Sequence, residues 1–189
     1  MSKNSKPRGH NQPALFAIKF IVLFAVFYGG YLGLIGLTAP GNHYSPFLAH
    51  YLNAVHWLRW LLLHATMLAL KTLGYHVVVN EYDLLVAGHN HIILNYDCLG
   101  VGVMCFFAAF VIAFPKHIRP KLTFLFSGLL IIQLLNVVRL AWLALFWSKR
   151  HPYFADQHTI FNTTIYIIIA VALYFWVRGK HSPKRHAAN

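Results

Sequence analysis

The chain has 189 residues, 58% of them hydrophobic and 16% aromatic, with four acids against sixteen Lys and Arg. That composition excludes an ordinary soluble globule and points to membrane embedding. The net charge of +12 does not mark a nucleic-acid binder, because the basic residues cluster at the ends of apolar runs, where they orient helices and meet anionic lipid head groups.

Residues 1–13 are polar and basic and are expected to form a disordered cytoplasmic tail. A single membrane domain over 14–178 follows, and then a basic cytoplasmic tail over 179–189. Ala14 to Leu37 is the first apolar span. Basic residues precede it, as in a signal peptide, but the run is too long and TAPGNH after it offers no clear small-residue cleavage site. It reads as a retained anchor, with Lys19 snorkelling to the inner interface.

Leu48 to Leu73 is apolar yet interrupted by His50, Asn53, His56, Arg59, His64 and Lys71, so a simple span would hold several costly groups at depth. An interfacial or re-entrant helix on the outer face fits better. Tyr75 to Asn95 contains short β-type runs, YHVVV, DLLVA and HIILN, separated by NEY and GHN turn signals, which predict a small meander outside the bilayer. Cys98 to Phe114, Leu122 to Trp147 and Thr159 to Val177 are further helical spans, joined by PKHIRPK and SKRHPYFADQ. The expected fold class is an all-α polytopic integral membrane protein: about four transmembrane helices, one interfacial or re-entrant outer-face helix, and a β-meander before Cys98.

The positive-inside rule orients these spans. With the amino terminus, PKHIRPK and the carboxy tail in the cytoplasm, ten Lys and Arg lie inside, and only Arg59, Lys71, Lys149 and Arg150 fall in outer segments. The arrangement requires that Leu48 to Leu73 does not cross. All four acids, Glu81, Asp83, Asp97 and Asp156, then lie on the outer side.

Three residue types gather at that outer edge. Cys98 opens a span just after NYD, so its sulfur is expected near a helix N-terminus, where unpaired N–H groups and the macrodipole favour a thiolate. The alternative is a small apolar residue that packs well, which is the better reading for Cys105 deeper in the span. On one helix the two thiols are roughly 10 Å apart along the axis, beyond the roughly 7 Å that a disulfide tolerates. Arg139 lies 17 residues after Leu122, roughly 26 Å of helix. At the bilayer centre an arginine costs roughly 2.5–3.5 kcal/mol, so a compensating partner is expected. It either snorkels to head groups or aims its donors at an oxyanion formed during acyl transfer. Asn136 and Gln133, one and two turns earlier, are placed to hold it. His158 heads the last span and suits a proton shuttle, with Asn162 four residues on to orient the ring. Asp97, adjacent to the thiol, is a supporting polar residue.

The Cys of YDCLGVG, the Arg of NVVRLA and the His of QHTIFN, each at the outer edge of successive spans, resemble the exosortase/archaeosortase family. The similarity covers roughly Tyr75 to Val177. It implies a polytopic cysteine protease or transpeptidase that needs no cofactor and acts on precursor proteins with a C-terminal sorting signal: a short motif, a transmembrane helix and a basic tail. By this resemblance Cys98 is the nucleophile, His158 the general base and acid, and Arg139 the oxyanion or substrate stabiliser. Many relatives have Ser after the Cys, where this chain has Leu99 and Gly100. The chain is also short, like the compact branches of the family.

Two rival readings remain at this level. His43, His50, His56, His64, His76, His89 and His91 all fall in the outer region and could hold zinc or copper, with the GHNH turn as the best local candidate, although the spacing matches no ligand motif. Alternatively, the chain is a non-enzymatic scaffold or assembly factor among membrane lipids, in which Arg139 serves helix packing.

Overall fold

The computed structural model describes residues 12–38, 54–146 and 157–179, with the side chains of the last stretch described from residue 163 onward. The expected terminal tails, apart from a few residues at their inner edges, the Leu48–Asn53 part of the outer-face segment, His43, His50 and the SKRHPYFADQ linker lie outside the described residues, apart from Gln157 at the end of that linker. The chain divides into two compact units, residues 1–150 and 151–189.

In the first unit, α1 (Gln12–Thr38) packs along α3 (Val101–Ala113), which in turn packs on α4 (Ile118–Phe146). An aromatic ladder explains the first contact. Phe16, Phe20, Phe24 and Tyr28 recur every four residues and so fall on one helix face. Phe16 meets Phe110 edge-on at 5.3 Å, and Phe20 meets Phe106 edge-on at the same distance. These T-shaped geometries place ring edges against ring faces, as the quadrupole favours. Because Phe16 also touches Phe114 while Phe24 touches Phe106, the two helices run antiparallel.

The α3–α4 contact is antiparallel too, and its register can be read pair by pair. Lys121 donates to Ile112 O at 3.1 Å, and the Phe107 ring lies against Gly128. Gln133 donates to Met104 Sδ, and Asn136 to Leu99 O. Gly128 is what permits the close approach, since a Cβ there would come within 3.1 Å of Phe107 Cε2 and nearer still to two other ring atoms. Helix α4 begins at Ile118 rather than at the expected Leu122, so IRPK of the basic loop is its first turn. Pro120 is tolerated there because the first N–H groups of a helix have no intrahelical acceptor to lose.

The pole reached by the C-terminal ends of α1 and α4 carries the rest of the unit. Strands β1 (Val77–Val79), β2 (Asp83–Val86) and β3 (His91–Ile93) form an antiparallel sheet in sequence order, the meander that the turn signals predicted. Val77, Leu84 and Val86 point into a core, while Val78, Leu85 and Ile93 are exposed, the two-residue alternation of a one-sided sheet. Helix α2 (Ala54–Thr72) covers that core with Val55, Leu62, Leu63 and Leu70, and α4 contributes Leu140 and Ala144. Asn90 ties the sheet to α4 through two 3.3 Å bonds, from N and Nδ2, to Ala144 O. Arg59, expected among the groups of an interfacial helix, is instead buried in α2 at 4% exposure.

Two helices among the described residues, α1 and α4, are long and apolar enough to cross a membrane. Helix α3 and the apolar part of the helix in the second unit, Thr163–Arg178, are shorter. That second-unit helix, α5 (Gln157–Arg178), ends with Arg178 donating to Tyr174 Oη one turn back, a cation at the negative end of the helix dipole.

Candidate active site

Cys98 does not open α3. It sits in a separate 3-10 turn, Tyr96–Leu99, joined to α3 by Gly100. Gly100 has φ +70°, a left-handed conformation that costs a residue with a Cβ, and a Cβ here would lie 3.1 Å from Asn136 Cγ and closer still to Nδ2. The glycine therefore does two things. It lets the chain swing from turn to helix, and it leaves the room in which Asn136 reaches the turn.

Asn136 is 1% exposed and uses Nδ2 toward Leu99 O at 3.4 Å and Gln133 Oε1 at 3.5 Å. Asn136 and Gln133 were expected to hold Arg139. The observed bonds instead hold the turn and α3, since Gln133 also donates to Met104 Sδ. On its other side the turn is held by Tyr31 of α1, whose hydroxyl donates to Tyr96 O at 3.0 Å. Within the turn, Cys98 N donates to Asn95 O at 3.0 Å.

The antiparallel register that pairs Met104 with Gln133 and Leu99 with Asn136 carries on to set Cys98 opposite Arg139. The two side chains are 8% and 2% exposed and are within electrostatic reach of each other. Burial pushes the Cys98 thiol above its ordinary value, and the Arg139 guanidinium pulls it back down. The sequence-based expectation of a thiolate favoured by a helix N-terminus thus meets a different balance: desolvation is the larger effect, and a fixed cation opposes it. Cys105, inside α3, is a separate free thiol. Asp97 is exposed on the turn.

Helix α5 begins at Gln157, so His158 lies in its first turn rather than ahead of it. The side chains of His158 and Asn162 lie outside the described residues, and both belong to the second unit. The structure therefore brings together Cys98, Arg139 and Asn136 and makes no such statement about His158 and Asn162.

The outer histidines among the described residues take separate partners. His91 pairs with Asp83 at 2.6 Å across β2 and β3, and His89 packs edge-on against Tyr75. His64 bonds Trp60 O at 2.8 Å, and His56 lies 3.7 Å from Glu81. Among the described residues, no three His, Cys, Asp or Glu side chains gather as a metal ligand set.

Sequence reasoning missed two residues of this site: Tyr31 and Gly100. A glycine directly after a turn and before an apolar run is the signal that could have found Gly100. Tyr31 carries no local signal.

Two helices long and apolar enough to cross a membrane, with a buried thiol within electrostatic reach of a buried guanidinium at one end, mark a membrane protein. A family model for transmembrane exosortases matches residues 12–176, and the chain belongs to that family. Neither the curated proteins nor the solved structures give a match.

Proposed function

We propose that the protein is a membrane-embedded cysteine transpeptidase or protease that cleaves the C-terminal sorting signal of exported precursors. The observation that supports it most directly is Cys98 buried opposite Arg139, on a turn braced by Asn136 and Tyr31. In this reading α3 and α5 also cross the membrane, giving four spans. The basic segments lie in the cytoplasm, α2 and the sheet cap the extracytoplasmic end, and the host compartment is the cytoplasmic membrane.

Because burial holds the thiol protonated at rest, a base must take the proton as attack begins. That role falls to His158, with Asn162 on the same face of α5 to orient the ring. The Cys98 sulfur bonds to the scissile carbonyl carbon, and the oxyanion that forms faces Arg139. The C–N bond then breaks, and the imidazolium returns its proton to the departing amine. A thioester remains on Cys98. An amine or water attacks it, giving transfer or hydrolysis, and the thiol is restored. Arg139 suits the oxyanion role because it is charged at all working pH values and its donors are fixed in a planar fork.

The test is maturation of a co-expressed precursor ending in a motif, an apolar helix and a basic tail. Cys98→Ala and Arg139→Met are expected to leave the precursor uncleaved, whereas Cys105→Ser processes it normally. Continued cleavage by Cys98→Ala overturns the proposal. Cys98→Ala should also fail to form the hydroxylamine-sensitive adduct that a thioester predicts.

A further inference from the structure

Arg59 is buried without an acidic side chain paired to it among the described residues, a costly choice for a helix position that faces a core. Its Nε makes no hydrogen bond among those residues. The guanidinium carbon instead lies 4.8 Å from the ring centroid of Tyr82 and 4.7 Å from that of Tyr96, so the cation is held between two aromatic faces. Tyr82 precedes β2. Tyr96 is the first residue of the turn that carries Cys98 two positions later.

A desolvated cation–π contact is worth about 2 kcal/mol or more, and a planar guanidinium can lie flat on both rings where an ammonium cannot. The turn's short i→i+3 pattern is a weak local structure, and among the ties that hold it are the Tyr31 bond to Tyr96 O, the Asn136 bond to Leu99 O, the Cys98 bond to Asn95 O and the burial of Leu99. Asn136 and Tyr31 grip backbone carbonyls at the two ends of the turn. Arg59 grips the side chain of its first residue and connects it to the sheet.

We propose that Arg59 is a positioning residue for Cys98, acting through the Tyr82–Arg59–Tyr96 sandwich to hold the thiol-bearing turn in register with Arg139. The inference rests on Cys98 being the working nucleophile, but its test needs no substrate. Arg59 touches neither the thiol nor a reacting atom. Its effect is on whether Arg139 and Cys98 feel each other.

That dependence can be read as a coupling in the purified full-length protein carrying Cys105→Ser, using the rate of Cys98 alkylation by a small neutral maleimide as a function of pH. In the otherwise wild-type protein, Arg139→Met removes the cation that favours the thiolate and should slow alkylation near neutral pH roughly tenfold, about one unit of thiol pKa. In an Arg59→Met background the same Arg139→Met change should slow it by less than about threefold, since the turn no longer holds the thiol against the guanidinium. Tyr96→Phe keeps the aromatic face and should retain the full tenfold effect. Tyr96→Leu removes that face and should behave like Arg59→Met.

An undiminished Arg139 effect in a folded Arg59→Met protein overturns the proposal and leaves Arg59 a packing residue only. If Arg59→Met does not fold, Tyr96→Leu makes the same measurement with Arg59 in place, and an undiminished Arg139 effect there overturns the proposal equally. Loss of coupling together with intact precursor cleavage by Cys98→Ala would uphold the positioning of the thiol while removing the proposed reaction.

Discussion

Replacing Gly100 with alanine tests the geometry of the site most directly, because two independent penalties fall on one methyl group. The first is backbone strain. At φ +70° a residue with a Cβ loses roughly 1–2 kcal/mol. The second is steric: the new Cβ would meet the Asn136 amide, which is 1% exposed and has little space to retreat. If Asn136 swings away, Leu99 O and the amide lose their contact, and a buried polar group left unsatisfied costs roughly 1–3 kcal/mol. The expected destabilisation is therefore about 2–5 kcal/mol, a fall of at least about 4 °C in the unfolding temperature for a chain of this size. The assay is thermal unfolding of the detergent-solubilised protein, followed by tryptophan fluorescence, for Gly100→Ala, Asn136→Ala and the double variant. Once Asn136 is truncated, the methyl has room and only the strain remains, so the double variant should be less destabilised than the two single effects together by about 1 kcal/mol or more. A Gly100→Ala protein within about 0.5 kcal/mol of wild type, or strict additivity in the cycle, would refute the reasoning.

Gly128→Ala should destabilise the α3–α4 contact by about 1–3 kcal/mol through overpacking against Phe107, and Phe107→Leu in the same protein should recover part of the loss. Equal unfolding temperatures for Gly128→Ala and wild type would show that the ring has room to move. The Cys98 thiol, pushed up by burial from an ordinary value of 9.0, should show an alkylation midpoint above pH 9 in a Cys105→Ser protein, and Arg139→Met should move it higher; a midpoint below pH 8 contradicts the burial argument. The His91 ring beside Asp83 holds that carboxyl below its ordinary 3.8. A depressed folded value stabilises the β2–β3 hairpin fully above about pH 4 and is lost as pH falls through the folded value. Asp83→Asn should therefore abolish the loss of hairpin amide protection, relative to intrinsic exchange, that sets in as pH falls below about 4, and an unchanged loss would assign it to other groups.

Much of the architecture was legible because membrane partitioning is a local property. An apolar run long enough to cross reveals itself residue by residue, and so α1 and α4 stand close to where their runs were drawn. The sheet was legible for a similar reason, since NEY and GHN interrupt runs of β-branched residues. Cys98 and Arg139 stand out by position alone, a thiol after a turn and a cation inside an apolar run.

What could not be read is which groups share an interior. The helix over Ala54–Thr72 has the same mixture of apolar and charged residues whether it lies on lipid or roofs a sheet, and only the packing of α2 on β1–β3 and the end of α4 buries Arg59 between Tyr82 and Tyr96. Asn136 likewise reads as a neighbour of Arg139 along its own helix, while in the folded chain its amide is turned toward a carbonyl 37 residues away. By itself, then, the sequence determined the apolar spans, the meander and the chemically promising residues, because each follows from composition and period over a short window. The tertiary structure alone decided the register of α3 on α4, and with it the meeting of thiol and guanidinium, because side-chain burial and close approach at Gly100 and Gly128 depend on partners far apart in the chain.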